Sequence, residues 1–322
     1  MGKRKVAIIG AGMIGRAWAV AFARGGMKVA IWSRSEETSK AAHVFVQTCL
    51  PRLEAEGLLN GNRAADLVRN LQVHTSLESA LAGAHFVQES FPEDLQMKRD
   101  IYATLDRLCV PETIIASSTS AFLPSDFTEH LAGRARCIVA HPINPPYLIP
   151  ATEVVPSQWT AGAVIEETCA ILAAAGQVPV VLTKELEGFV VNRLQGALLN
   201  EAFWLVANGY AGVEDVDTAL KHGLALRWSF MGPFETIDLN SPRGVREYAE
   251  RYDRIYKLLH AQMRHRADWS GEVLDKVEAY RRACLPADQL EQRQEWRDRR
   301  LMALAAHKLR VSNAESGVRP PA

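Results

Sequence analysis

At 322 residues, 48% of them hydrophobic, the chain is long enough for two domains, each with its own core. Lysine plus arginine and aspartate plus glutamate both total 37, so no global field points to nucleic acid or to an anionic membrane. The five cysteines, Cys49, Cys109, Cys137, Cys169 and Cys284, are odd in number and include no CxxC pair, which excludes a zinc or redox motif and suggests reduced, mostly buried thiols in a cytoplasmic protein.

The opening "MGKRKVAIIGAG" passes from a short basic head directly into a strand and a turn, without the small-residue cleavage site of a signal peptide. No apolar run approaches the roughly eighteen residues needed to cross a bilayer, so a soluble protein is expected. The β-branched run "KVAII" is followed by a glycine turn and by "MIGRAWAVAFARGG", whose apolar positions recur at helical spacing until Gly25 and Gly26 stop it. A second strand, "KVAIW", ends at Ser33, and helical stretches at about 36–56 and 61–69 form a hairpin inserted in an otherwise alternating pattern. Further strands are expected at 71–74, 85–89, 113–116, 136–140, 152–155 and 178–182. Most are separated by helical stretches, which predicts an α/β fold with a mostly parallel, Rossmann-type sheet up to about residue 185.

From Phe189 on only helix patterns remain: 189–209, 213–223, a long stretch through 256–264, and a charged terminal helix at 286–309. The first of these is apolar on nearly all sides, as in a bundle or a dimer interface. The expected organisation is a dinucleotide-binding domain at 1–187, an all-α domain for substrate and dimerisation at 188–309, and a flexible tail at 310–322.

"GAGMIG" supplies Gly10, Gly12 and Gly15 in GxGxxG spacing. Such a motif needs a tight turn at the first glycine, close approach to a pyrophosphate at the second and close helix–strand packing at the third, with the helix N-terminus facing the phosphates. Its place between a strand and a helix, with a second strand after it, makes it a much stronger signal than a lone match. At the end of that second strand NAD binders usually carry Asp or Glu; here stand Ser33 and Arg34.

"SSTSAFLPSD", "AHPINPPYLIPATEVV", "EGFVVNR" and "MGPFET" stand in the order and spacing of the 3-hydroxyacyl-CoA dehydrogenase superfamily. The chain resembles its lambda-crystallin and L-gulonate 3-dehydrogenase branch, sharing segments at 140–146 and 296–298, and the resemblance runs from Val6 to about Lys308. It implies that His141 takes the hydroxyl proton while hydride leaves the same carbon for a nicotinamide, and that Glu153 orients the imidazole. An imidazole with a carboxylate on its other ring nitrogen suits proton transfer near neutral pH. The resemblance further implies that Ser120 and Asn192 hydrogen-bond the substrate oxygen, that Glu93 and Lys98 lie beside the nicotinamide ribose, and that Asn144 shapes the cofactor pocket through its loop. Taken without the resemblance, Ser120 reads equally as a helix cap, Asn192 as locally satisfied, and Glu93 and Lys98 as a solvated helix face.

Ser33 departs from the acidic residue of the family pattern. Losing that carboxylate removes an NAD contact and a source of repulsion toward a 2′-phosphate, with which Arg34 could pair; the balance leans slightly to NADP, whereas the resemblance favours NAD. Arg227, in "GLALRWSFMGPFET", matches an arginine of members that act on free hydroxy acids, suited to a carboxylate and placed to face the cleft holding His141. The alternative is a salt bridge to Glu235 or Asp238. The expected activity is hydride transfer between NAD(P) and the 3-hydroxyl carbon of a small free L-3-hydroxy acid, L-gulonate-like or 3-hydroxybutyrate-like, by a homodimer that needs no metal and has no nucleic-acid or membrane partner. A 3-hydroxyacyl-CoA dehydrogenase is the rival; Lys40, Arg52, Arg63 and Arg69 are too dispersed to suggest a clamp for a phosphorylated CoA tail. A catalytically idle, crystallin-like structural protein is the third reading, and the retained site residues argue against it.

Overall fold

Each aliphatic run named above becomes a strand. The structure, a computed structural model, describes residues 4–267 and 269–315 and divides into two compact units, one running to Asn192 and resuming at Gln294, the other spanning Arg193–Arg293. The first unit comprises β1 (Lys5–Ile9), α1 (Met13–Arg24), β2 (Lys28–Trp32), α2 (Glu36–Ala55), α3 (Ala64–Val68), β3 (Leu71–Val73), α4 (Leu77–Leu81), β4 (Phe86–Glu89), α5 (Leu95–Leu108), β5 (Ile114–Ser117), α6 (Pro124–Thr128), β6 (Cys137–Pro142), β7 (Ala151–Pro156), α7 (Gly162–Ala174) and β8 (Val178–Val181). Its single sheet has the order β3-β2-β1-β4-β5-β6-β7-β8. All neighbours are parallel except β6 and β7, which run antiparallel. The α2–α3 hairpin is the insertion expected between β2 and β3.

The middle of the sheet is covered on both faces, so its strands there read as continuous apolar runs, whereas the edge strand β8 has no buried residue. Within β1 the side chains alternate: Val6 and Ile8 enter one buried cluster with α1 and α2, while Ala7 and Ile9 enter another with Tyr102 and Leu105 of α5 and Phe127 of α6. Burying a side chain of this size contributes roughly 1.5–3 kcal/mol, and the central strand draws it from both sides.

The second unit is helical: the body of α8 (Val191–Ala207), then α9 (Val213–Ala219), a π-helical turn at Leu220–Leu224, α10 (Ala225–Trp228), α11 (Pro233–Leu239), α12 (Gly244–Gln262) and α13 (Gly271–Cys284). Trp204 of α8 stacks on His265 at 4.4 Å and on Tyr210 at 5.0 Å, and Asn200 accepts from the Ala267 amide at 2.8 Å. Within its own chain the first helix is not buried as in a bundle: Val206 is its one buried residue. The pattern carries more apolar side chains than the chain's own helices cover, and Leu194, Leu226, Phe230 and Phe234 are left largely exposed, Phe234 at 80%.

The terminal helix departs from the sequence reading as well. It forms α14 (Leu290–Glu315), but from Gln294 on it belongs to the sheet-bearing unit and not to a helical domain reaching residue 309. Met302, 5% exposed, and Ala306 enter the cluster that holds Val6 and α1, and Asp298 accepts a hydrogen bond from the Tyr147 hydroxyl at 3.0 Å. The segment doing this packing is the apolar run at 301–306, which stands between charged stretches of the same helix. Residues 310–315, expected in a flexible tail, continue the helix; 316–322 lie outside the described residues. Among the described residues no helix is long and apolar enough to cross a membrane.

Candidate active site

The glycine turn follows β1. Gly10 has φ +96°, a conformation open to glycine, and a Cβ there would lie 2.7 Å from both Phe91 Cδ1 and the Ser90 carbonyl oxygen. A Cβ on Gly15 would meet the Gly10 carbonyl oxygen, so α1 packs backbone to backbone against the turn. Gly12, in contrast, has nothing within 4 Å of where its Cβ would be. It starts α1 without a side-chain cap, and no acidic residue stands in the first turn. Free amides at the N-terminus of a twelve-residue helix, beside open space, fit a pyrophosphate. The Asn144 amide reaches the Met13 sulfur at 3.5 Å, which brings that loop to the first residue of the same helix.

The antiparallel β6–β7 pair sets His141 directly opposite Glu153. His141 Nδ1 lies 2.7 Å from Glu153 Oε2; the imidazole is 6% exposed and the carboxylate fully buried. The other oxygen, Oε1, accepts from the backbone amides of Val190 at 2.7 Å and Val191 at 2.9 Å. Burial pushes the Glu153 carboxyl up, but the hydrogen bond with His141 and the Val191 and Val190 amides outweigh it and hold the group below its ordinary value. A carboxylate that only accepts requires the proton on Nδ1, which leaves Nε2 as the proton-accepting nitrogen. The two amides are aimed by the turn before them, where Gly188 has φ +71° and Phe189 φ +49°. For phenylalanine this region is disfavoured by roughly 1–3 kcal/mol. The buried Phe189 ring packs 5.5 Å from the His141 ring. Sequence reasoning missed this turn, although Gly188 before "FVVN" was its signal.

Asn192 comes next in the chain, and its Nδ2 donates to the Ser120 carbonyl oxygen at 3.0 Å. The Ser120 amide donates to Glu93 Oε1 at 2.6 Å and its hydroxyl to the same oxygen at 3.1 Å, while the Thr119 hydroxyl donates to Oε2 at 2.8 Å. Glu93 therefore grips the Ser120 turn. Lys98 is 1% exposed, so it is no part of a solvated helix face; its ammonium contacts both oxygens of the buried Glu89, at 3.1 and 3.2 Å, and Glu93 Oε2 at 4.0 Å. Glu89 also accepts from the Ser117 hydroxyl and the Phe91 amide, each at 2.6 Å. Two groups thus form, His141 with Glu153 and Asn192 with Ser120, Glu93 and Lys98, joined where Val191 precedes Asn192. Behind them Gln88 donates to Ser118 Oγ at 2.7 Å and to the Ala140 carbonyl at 3.2 Å, tying β4 to the residue before His141.

Ser33 is half-buried just past β2, and the next serine, Ser35, caps α2 by accepting from the Thr38 amide at 3.2 Å. Arg34 is exposed, and its guanidinium carbon stands 5.4 Å from the centre of the Phe91 ring. Arg227 lies on α10 in the other unit. It forms no ion pair with Glu235 or Asp238 among the described residues, and its buried Nε has no hydrogen-bond partner there; Asp238 instead accepts from the Val245 amide at 2.8 Å.

The family model described as "3-hydroxyacyl-CoA dehydrogenase, NAD binding domain" matches residues 5–186, and "3-hydroxyacyl-CoA dehydrogenase, C-terminal domain" matches 188–274. Lambda-crystallin of Oryctolagus cuniculus is 38% identical over 303 residues, covering 93% of this chain and 95% of the relative. L-carnitine dehydrogenase of Streptomyces griseus is 41% identical over 241 residues, 75% of this chain and 71% of the relative. Among solved structures, an NAD+-dependent 5-formyl-3-hydroxy-2-methylpyridine 4-carboxylic acid 5-dehydrogenase superposes with a TM-score of 0.82 at 28% identity, covering 99% of this chain and 100% of that one. FadB2 of Mycobacterium tuberculosis gives 0.67 at 27%, covering 87% and 95%.

Proposed function

Because the chain belongs to the lambda-crystallin branch of the 3-hydroxyacyl-CoA dehydrogenase family, nicotinamide-dependent oxidoreductases of CH–OH groups, we propose that it oxidises small free 3-hydroxy acids, L-gulonate-like or 3-hydroxybutyrate-like. The observation that carries the chemistry is His141 held by the buried Glu153 with Nε2 left to accept a proton. When bound, the nicotinamide supplies the acceptor for the hydride that leaves the carbinol carbon with its electron pair. His141 Nε2 takes the proton from the hydroxyl of that carbon, leaving a carbonyl. Glu153 keeps Nδ1 protonated and stabilises the imidazolium, which is why a carboxyl held below its ordinary value matters. Asn192 uses one amide hydrogen on Ser120 and has a second to give the substrate oxygen. The Ser120 hydroxyl, which donates to Glu93, would turn to donate to the same oxygen, because the single hydrogen of the substrate hydroxyl goes to His141.

Gly10, Gly12 and Gly15 with the start of α1 would hold the pyrophosphate, Asn144 the neighbouring wall, and Glu93, backed by Lys98, the nicotinamide ribose. Ser33 and Arg34 favour a 2′-phosphate without barring NAD. Arg227 is the proposed partner of the acid's carboxylate: a buried guanidinium nitrogen without an acceptor suits an incoming anion. A relative named for L-carnitine, a free hydroxy acid, supports the same substrate class. On the hairpin, two of the four cations are already engaged, Lys40 with Glu36 and Arg69 with Asp66, which does not favour a clamp for CoA phosphates. The apolar side chains exposed on the helical unit support a homodimer through that unit, for which light scattering should give twice the chain mass, and the five free thiols fit a cytoplasmic protein. In the substrate test, Arg227→Met should abolish saturation by the acid and Arg227→Lys should raise KM through loss of the bidentate pair. An Arg227→Met enzyme with unchanged KM for its best acid removes the carboxylate assignment.

A further inference from the structure

Phe91 lies where the strand ends of the nucleotide half converge. Its amide donates to Glu89, its ring closes over Gly10, and it stacks against Trp32 at the end of β2, with centroids 6.4 Å apart and planes at 29°. Over the same ring stands Arg34. A cavity of about 560 Å3 opens here, lined by Arg34, Phe91, Asp94, Met97, Asp100 and Ile101 among others.

Three acids around this arginine hold partners of their own. Glu36 is paired with Lys40 at 2.7 Å, Asp94 caps α5 by accepting from the Met97 amide at 2.7 Å, and Asp100 accepts from the Gln96 amide at 2.9 Å. Among the described residues no ion pair is formed by Arg34. A guanidinium has two distinct ways of binding: its face stacks on a π-system without using any N–H, while its edge donates parallel hydrogen bonds in the plane. An acidic neighbour would consume the edge. The Phe91 ring, 5.4 Å from the guanidinium carbon, offers no in-plane acceptor to consume it.

We propose that Phe91 is a positioning residue for cofactor choice: it holds the face of the Arg34 guanidinium and so leaves its donor edge free for the 2′-phosphate of an NADP-type cofactor. The inference rests on the cofactor reading above. Fixing a long, exposed side chain before binding reduces the rotamer freedom lost when the phosphate arrives, and the ring supplies that restraint. The occupant implied at the edge is a phosphate dianion on a ribose, which the planar fork fits in bidentate fashion.

The experiment measures the affinities of NADPH and NADH by fluorescence titration on one preparation of each variant, so that partial misfolding cancels in their ratio. Phe91→Leu, which keeps apolar volume and removes the π face, is expected to lower the NADPH-to-NADH affinity ratio about two- to fivefold, the scale of an exposed cation–π contact. Phe91→Trp is expected to restore the ratio, and Phe91→Leu should lower it no further in an Arg34→Ala background. An unchanged ratio in Phe91→Leu, with Arg34→Ala lowering it, overturns the role of Phe91 and leaves the cofactor reading standing. Additive effects in the double variant overturn it too, because Phe91 would then act without Arg34. If Arg34→Ala leaves the ratio at the wild-type value, Arg34 does not read the 2′-phosphate and the cofactor reading falls, taking the inference with it.

Discussion

Two corners of the sheet each bury a carboxylate, and they differ in what the carboxylate holds. At the β6–β7 corner Glu153 takes two backbone amides and one imidazole nitrogen; at the end of β4 Glu89 takes a hydroxyl, an amide and the Lys98 ammonium. Both acids are fully buried and fully partnered. An imidazole gripped at Nδ1 keeps a second nitrogen for chemistry, whereas the Lys98 ammonium is closed in between Glu89 and Glu93. The same device therefore yields a proton acceptor at one corner and a brace for the Ser120 turn at the other.

The comparison breaks most visibly at His141. His141→Ala should lower kcat by roughly two to four decades, the scale for a removed general acid or base, in steady-state assays of nicotinamide reduction. At the Glu89 corner the expected loss is of stability: Lys98→Met strands a buried carboxylate and should cost about 3–5 kcal/mol in urea unfolding. Adding Glu89→Leu should recover part of it, because removing both charges relieves the stranded one. If Lys98→Met left stability untouched and abolished turnover, the two corners would be alike in kind.

The smallest effect concerns pH. The Glu153 carboxyl is held below its ordinary value, so the folded state releases this proton more readily than the unfolded chain. Its contribution to stability is present above the unfolded value, about 4.3, and is lost as pH falls through the lower folded one. Melting temperature should therefore drop more steeply below about pH 4.3 in the wild type than in Glu153→Gln, which has no such proton to bind. Parallel curves would mean that the carboxyl is not held down in the folded protein.

Much of this was legible in the residues. All eight strands fall on the runs expected to form them, and the central ones, covered on both faces, write themselves as apolar sequence. The glycine turn was legible for the same local reason, and the family motifs point to the residues that face each other as His141 and Glu153. What the sequence hides depends on tertiary partners. Lys98 reads as a solvated helix position, and only the fold brings Glu89 beneath it. Phe189 carries no mark of its left-handed backbone. The α14 helix reads as a charged terminal helix because its apolar run at 301–306 is flanked by charges, and Arg34 gives no hint of the ring it rests on. The first helix after Phe189 carries apolar content that exceeds what its own chain covers.

The central claim, that the His141–Glu153 pair serves the oxidation of a free 3-hydroxy acid, is tested most directly by following reduced-nicotinamide absorbance. Wild-type protein would be assayed against a panel of small 3-hydroxy acids and 3-hydroxyacyl-CoA esters, each with NAD and with NADP. Turnover is expected with at least one free acid, at a kcat/KM above that of every CoA ester. A CoA ester preferred over all free acids, or no reduction with any compound, would contradict it.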